Sequence, residues 1–490
     1  MHIEIARLGA RQLRRILGPV AAGLAMAAGL YAHEDEKGER IAAGLSATPA
    51  EFTALNITLV GVLPLVQEAD ITRPSQTPQG PFLTADLTIS GDYAYVGGFD
   101  NTLHIVDISR PEAMRQVARV QTPGPALDVK VQGDLAAIGV QSRASDFGLV
   151  MVDISDPLNP IILSEFSVRG WHGVHNLFLY EDRAYLAHSN HPGMTILDIS
   201  DPTRPFVSGH WLHQEGFSNI VHDVFIGDGM AFVSDWFSGL AILDLADPDN
   251  PVVLSSFHLE DGAHSAWMEQ GYVYFNQEFG GWEQPLHILD IADPRNPVEM
   301  GIFRARPPPF SEVLGPHNPY VRDGLLYWAY YDAGLRIFDV SVPDNPVEVG
   351  YFPTSLAWGA HPHKDGLVYV ADSLSGLMAL RFQPPIPTAI EAGAASLPQD
   401  FALEQNYPNP FNSATAIRFA LPAEAEIDLA VYNPMGQRVA QLVEGMRVAG
   451  TYMVHWDGRD DSGGELASGT YLYRLRVGDQ VETRKLVLVR

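Results

Sequence analysis

Gly239-Leu240-Ala241-Ile242-Leu243-Asp244-Leu245-Ala246-Asp247-Pro248-Asp249-Asn250-Pro251 decides the fold. An apolar, β-prone run ends in aspartates and prolines, the residues that favour a bend and stop the next strand from starting early. Near-copies run from Val150 to Pro160, Thr195 to Pro205, Leu286 to Pro297 and Leu335 to Pro346, with a shortened one from Leu103 to Pro111. The strand-ending aspartates fall at 107, 153, 198, 244, 290 and 339, in steps of 45 to 49 residues. A seventh copy, Gly376 to Phe382, carries Arg381 in place of the aspartate. Units of this length, repeated seven times, suit propeller blades of four strands each.

The rest of each unit supplies the other strands. Val221 to Ile226, a Gly227-Asp228-Gly229 turn and Met230 to Ser234 precede the signature strand; Val252 to Phe257 follows it. The seventh unit ends after its third strand. Leu55 to Leu63 resembles a fourth strand, so it is expected to complete blade seven and remove the exposed sheet edge.

With the register set, the motif resembles the LVIVD-repeat family of secreted bacterial β-propellers, which often carry interchangeable C-terminal anchoring or sorting tails. The resemblance covers roughly residues 51–382. It implies a surface or extracellular propeller and no defined reaction.

Residues 383–402 are rich in Pro, Ala and Gly and read as a linker. From 403 to 490 short alternating strands suit a small β-sandwich. The ordered set Asn406-Tyr407-Pro408-Asn409-Pro410-Phe411-Asn412, Val431 to Val439, Gly450-Thr451-Tyr452, Trp456-Asp457-Gly458, Ser468 to Tyr471 and Lys485 to Arg490 resembles type IX secretion sorting domains and the related Ig-like domain of flagellar hook-capping (FlgD-like) proteins. That resemblance implies the type IX secretion machinery as a partner, reached through residues 403–490. The expected fold class is therefore all-β: a seven-bladed propeller followed by an Ig-like, FlgD-like sandwich.

Arginines 7, 11, 14 and 15, the apolar stretch 16–31 and Ala32 before a charged run read as a signal peptide over 1–32, with 33–50 opening the mature chain. The apolar run falls short of the roughly 20 residues needed to span a bilayer. The expected location is secreted or outer cell surface, by way of the periplasm. A formal net charge of -28 argues against nucleic acid as a partner, and the absence of cysteine removes disulfides, thiolate catalysis and Cys-ligated metal. No Gly-x-Ser-x-Gly elbow, P-loop or dinucleotide fingerprint is present.

What every blade repeats reads as architecture; what one blade does differently is a candidate for function. His175, His222, His264 and His317 share one repeat position at the start of the innermost strand, and His361 is the nearest match in the last blade. Twelve of the 17 histidines map to that end of the ring. Two readings stand for the five: ligands of a divalent, zinc-like metal at the channel mouth, or hydrogen-bonding elements between blades. Their neighbours Asp86, Asp128, Asn176, Asp223, Ser265 and Asn318 are expected to point to the opposite side of the strand.

The same face is expected to carry unrepeated aromatics: Trp171, Trp236, Phe237, Trp282, Tyr330, Tyr331 and Trp358. Asp235, Glu278 and Asp372 lie among them. Such a rim suits an extracellular protein, glycan or small ligand. The first functional expectation is a non-enzymatic binding module. The alternative is a metal-dependent hydrolase or lyase at the channel mouth, and a third is a structural surface module.

Overall fold

One local bond is made six times. The Oδ1 atom of each signature aspartate accepts the backbone N–H two residues on: Asp107 from Ser109 at 3.0 Å, Asp153 from Ser155 at 2.8 Å and Asp198 from Ser200 at 2.9 Å. Asp244 and Asp290 accept from Ala246 and Ala292 at 2.8 Å, and Asp339 from Ser341 at 3.0 Å. Such turns satisfy donors that the sheet leaves unpaired. Asp249, the last aspartate of the stretch from Gly239 to Pro251, reaches the preceding blade instead. Its two oxygens accept Nε and Nη2 of Arg183 at 2.8 and 3.0 Å, a bidentate clamp between neighbouring blades.

The computed structural model describes residues 54–65, 84–141, 148–168, 173–188, 192–213, 220–259, 262–278, 284–305, 315–383 and, with short interruptions, 400–490. The stretches read as signal peptide and mature N-terminus, most of the linker, and Trp171 and Trp282 lie outside the described residues. The fold falls into two units, one largely before and one after Gln383.

Among the described residues of the first unit, seven four-stranded sheets form. Blade four shows the plan: Val221–Gly227, Met230–Asp235, Gly239–Asp244 and Val252–His258, hydrogen-bonded in that order. Exposure grows outward, from Phe232 at 0% in the second strand to Val252 at 61% in the fourth. The seven innermost strands pack against one another in a closed cycle around the axis. The core lies between blades: Tyr185 and Ile196 of blade three pack with Val224, Val233 and Leu243 of blade four. Each such fully buried side chain contributes about 1.5–3 kcal/mol, repeated around the ring.

Blade seven is built from both ends of the unit. Ile57–Leu63 pairs antiparallel with Gly376–Phe382, from Ile57 opposite Phe382 to Leu63 opposite Leu377. The approach to that strand is tied to blade six, where Leu55 and Tyr351 exchange backbone hydrogen bonds at 2.8 and 2.9 Å. Blade seven meets blade one through Ser373 Oγ donating to the Thr84 carbonyl at 2.5 Å and Tyr369 OH donating to the Ile108 carbonyl at 3.3 Å.

Among the described residues the second unit has two sheets, one of three strands and one of four. They share a core that includes Phe419, Leu429, Tyr452, Trp456, Tyr473 and Leu486. The tail motifs have structural roles. The Phe411 N–H donates to the Val487 carbonyl at 3.0 Å, Asn409 Oδ1 accepts the Val487 N–H at 2.8 Å, and Trp456 Nε1 donates to the Arg459 carbonyl at 2.9 Å. Among the described residues no helix is long and apolar enough to cross a membrane.

Candidate functional site

The innermost strands bring the repeat-position histidines side by side. Ring centroids stand 4.3 Å apart for His175 and His222, 4.2 Å for His222 and His264, and 4.7 Å for His264 and His317. Trp358 continues the row 4.8 Å from His317. Phe99 meets Trp358 edge-on at 5.5 Å, where Ala85 and Leu127 complete the circuit. The seven residues at this level, one per blade, are thus Ala85, Leu127, His175, His222, His264, His317 and Trp358.

His361 does not join the row. It lies three residues further along its strand, against Tyr320 at 4.8 Å, with Nδ1 3.0 Å from the Pro362 carbonyl oxygen. The reason is register: Ala357 pairs with Asp372 as Val221 pairs with Asp235, so Trp358 is the counterpart of His222. His363 lies further still, at the opposite end of blade seven, where its N–H bonds the Leu367 carbonyl across the hairpin turn.

A bulge explains how these residues reach the axis. The pairing of the first two strands skips a residue between Val174 and Asn176, between Val221 and Asp223, and between Ala357 and Gly359. The extra residue in each case is the one in the row. A bulge interrupts strict alternation, so the following residue is not sent to the far side of the strand, contrary to expectation. Asp86, Asp128, Asn176, Asp223, Ser265 and Asn318 form a second, polar level. Asp128 Oδ2 accepts the Leu177 N–H at 2.8 Å, and Asn318 Nδ2 donates to Asp86 Oδ2 at 3.4 Å across blade seven. Gly359 permits that reach, because a Cβ there would stand 2.2 Å from Asp86 Oδ1.

A third level is aromatic. Phe178, Phe225, Trp267, Tyr320 and His361 follow one another at 5.1, 4.6, 3.9 and 4.8 Å. Blade two instead places Lys130 here, paired with Asp128 and 3.8 Å from Asp86. Burial disfavours the lysine's charge, but Asp128 and Asp86 outweigh it and hold its pKa above the ordinary value. Burial raises Asp86 to about 7 and Asp223 to about 6. Sequence reasoning passed over Lys130. The available signal was a lone cation at a level where five other blades place aromatic or imidazole rings.

The first level is electrically different. Burial holds His222 and His264 well below the ordinary histidine pKa, with neighbouring imidazoles adding to it, and takes His175 to about 4 and His317 to about 3. All four are neutral at physiological pH. Nδ1 of His222 donates to the His264 carbonyl at 2.8 Å, and Nδ1 of His317 to the Trp358 carbonyl at 2.6 Å. His222 and His317 therefore bond from blade to blade, and they do so to backbone carbonyls.

The candidate rim residues divide. Trp236, half-buried, stands edge-on to His222 at 4.0 Å and is stacked beside Phe237 at 6.4 Å. The loop that follows crowds it: a Cβ on Gly262, which has φ +75°, would stand 1.8 Å from the Trp236 carbonyl oxygen. Tyr331 lies 4.8 Å from His317, and its hydroxyl donates to Glu278 Oε1. Glu278 Oε2 is 3.6 Å from His264 Nε2. Trp236, Phe237, Glu278, Tyr331 and Trp358 thus gather at the histidine row.

Tyr330 does not. It is fully buried within blade six, 5.1 Å from Trp328 and 5.5 Å from the Arg336 guanidinium. The left-handed backbone of Tyr331, φ 39°, separates the two neighbouring rings. Asp235 and Asp372 share one repeat position and act as turn caps. Asp235 Oδ1 accepts the Phe237 N–H at 3.1 Å, and Asp372 accepts those of Leu356, Leu374 and Ser375 at 2.6, 3.1 and 2.7 Å.

His222, His264 and Glu278 each offer one ligand atom, and these atoms lie within 4.8 Å of one another. Among the described residues neither ring nitrogen of His264 has a hydrogen-bond partner, although the residue is 2% exposed.

Comparison with known proteins agrees with this architecture. Residues 83–122, 123–168, 173–212, 220–258, 263–305 and 320–354 match the LVIVD repeat, and residues 409–479 match the FlgD Ig-like domain. No curated protein matches. Among solved structures, the chain is similar to the WD40 domain of Neurospora crassa Pan2, with TM-score 0.50 and 10% identity over 68% of this chain and 98% of that one. It is also similar to the WD40 β-propeller domain of Doa1, with TM-score 0.49 and 10% identity over 67% and 98% of the two chains. A third is PorZ of Porphyromonas gingivalis, described as an essential bacterial surface component of the type IX secretion system, with TM-score 0.44 and 12% identity over 83% of this chain and 59% of that one.

The fold and the matched repeats define a β-propeller repeat protein. In particular, it carries six LVIVD repeats followed by a FlgD Ig-like domain, and its seventh blade lies outside the matched stretches.

Proposed function

We propose that this is an exported binding protein that takes an extracellular glycan or peptide on the rim formed by Trp236, Phe237 and Trp358, with no chemistry of its own on that ligand. One observation carries the reading: a continuous row of rings, Trp236–His222–His264–His317–Trp358, is buried below and half-exposed at its two tryptophans. Indole faces at a rigid rim give contact area at little entropic cost. The uncharged imidazoles and the carboxylate of Glu278 favour a neutral or basic ligand over an anion. Export is supported by the signal-like N-terminus and by the tail, whose sequence resembles sorting domains and whose match is Ig-like.

Two experiments test it. Probing arrays of neutral oligosaccharides and peptides with the secreted form should find a binder that Trp236→Ala and Trp358→Ala each weaken about tenfold or more. Arrays without any binder, or binding indifferent to both changes, would overturn the rim. Removing residues 403–490 in a host with type IX machinery should strand the propeller in the periplasm; unchanged delivery to the outside would overturn the sorting role.

A further inference from the structure

We propose that His222, His264 and Glu278 form a binding site for one divalent transition-metal ion of the zinc class.

The donors are of the right type. Two imidazoles and a carboxylate are the set that three-ligand zinc sites use, with a further position left to solvent or ligand. Zinc–nitrogen bonds of about 2.0–2.1 Å place tetrahedral donors about 3.3 Å apart. His264 Nε2 and Glu278 Oε2 stand at 3.6 Å, and the whole set lies within 4.8 Å, so small rotations of side chains close the site.

The surrounding bonds prepare those donors. His222 commits Nδ1 to the His264 carbonyl at 2.8 Å, which leaves its Nε2 lone pair as the free donor. Tyr331 holds Glu278 Oε1, leaving Oε2 toward His264. Outer contacts of this kind orient ligands and raise their basicity. His264 supplies an independent observation: a side chain 2% exposed whose two nitrogens lack hydrogen-bond partners among the described residues. A buried polar ring left so costs stability, and a cation beside it removes that cost. His361 belongs to another level of the channel and takes no part.

The site does not depend on the rim reading: a metal can bind whether or not Trp236 and Trp358 hold a ligand. The test uses untagged full-length protein prepared without chelator, then stripped and titrated with Zn²⁺ and with Co²⁺, whose visible absorption reports nitrogen and oxygen coordination. Wild type should take up one equivalent saturably. His264→Ala and Glu278→Gln should lose that equivalent, Tyr331→Phe should weaken it by about 10–100-fold, and His361→Ala should leave it unchanged. Thermal melts confirm that each variant is folded; where His264→Ala is not, Glu278→Gln and Tyr331→Phe decide. A wild type without saturable uptake, or uptake equal in wild type and the ligand variants, overturns the proposal.

Discussion

Lys130 is the residue on which the channel's electrostatics turn. One ammonium group faces the carboxyls of Asp86, Asp128 and Asp223 in a buried setting. Removing one partner of such a group leaves uncompensated charge. Lys130→Met should destabilise the ring by about 3 kcal/mol at neutral pH, and by less at pH 5, where carboxyls can take up protons; denaturant melts at the two pH values check this. Asp86 gives the complementary case. Its folded pKa of about 7 lies above the unfolded value near 4. Between these values the folded state binds the extra proton, so stability falls as pH rises through the window and stays lowered above it. Asp86→Asn should therefore match wild type near pH 4 and exceed it above pH 7, by an amount on the order of 1–3 kcal/mol; a gap that shrinks with rising pH would show the sign to be wrong. The repeat register marks Lys130 as the odd residue at its level, but not its partners, which come from three blades and meet only after the ring closes.

At the scale of the element, the inner strand is where sequence reading both succeeded and slipped. The signature aspartates set the blade register, and that register located His175, His222, His264 and His317 together at one level. The bulge beside Asp223 was invisible, since it changes pairing without changing composition. Blade seven lacks the aspartate that set the register elsewhere, so His361 stood in for Trp358. Tyr330 and Tyr331 read as a pair until the positive φ of Tyr331 parts them. The bulged geometry also makes Gly359 indispensable: Gly359→Ala would drive a methyl group against Asp86, and a cost of about 1–3 kcal/mol is expected in the thermal or denaturant melt. The closing strand makes a larger prediction. Deleting residues 51–63 exposes the edge of Gly376–Phe382 and removes the exchange between Leu55 and Tyr351. The propeller should then melt well below wild type by calorimetry; an unchanged midpoint would mean that blade seven does not need its fourth strand.

For the whole molecule, even spacing of one short motif made the ring legible before any contact was known, because each blade must offer the next the same apolar faces. The tail was legible for a different reason: Asn409, Phe411 and Trp456 are fastened at particular points of its sheets. What stayed hidden was which side chains of different blades meet, as Lys130 meets Asp86 and Asn318 meets Asp86. Each unit has its own core, so residues 400–490 produced alone should show a cooperative thermal transition of their own; a featureless melt would make the tail dependent on the ring.

The pairing of Ile57–Leu63 with Gly376–Phe382 also sets a timetable. The first half of this latch leaves the ribosome more than 300 residues before the second, and closing so long a loop costs about 5 kcal/mol in chain entropy. Six blades can be hairpinned from neighbouring sequence, yet the seventh must wait for both halves. A chain that folds in the order of its synthesis would hold the edge of Gly376–Phe382 open until then, the form most prone to adding a stranger's strand. Closing blade seven is therefore the step expected to be slowest and most exposed to mispairing.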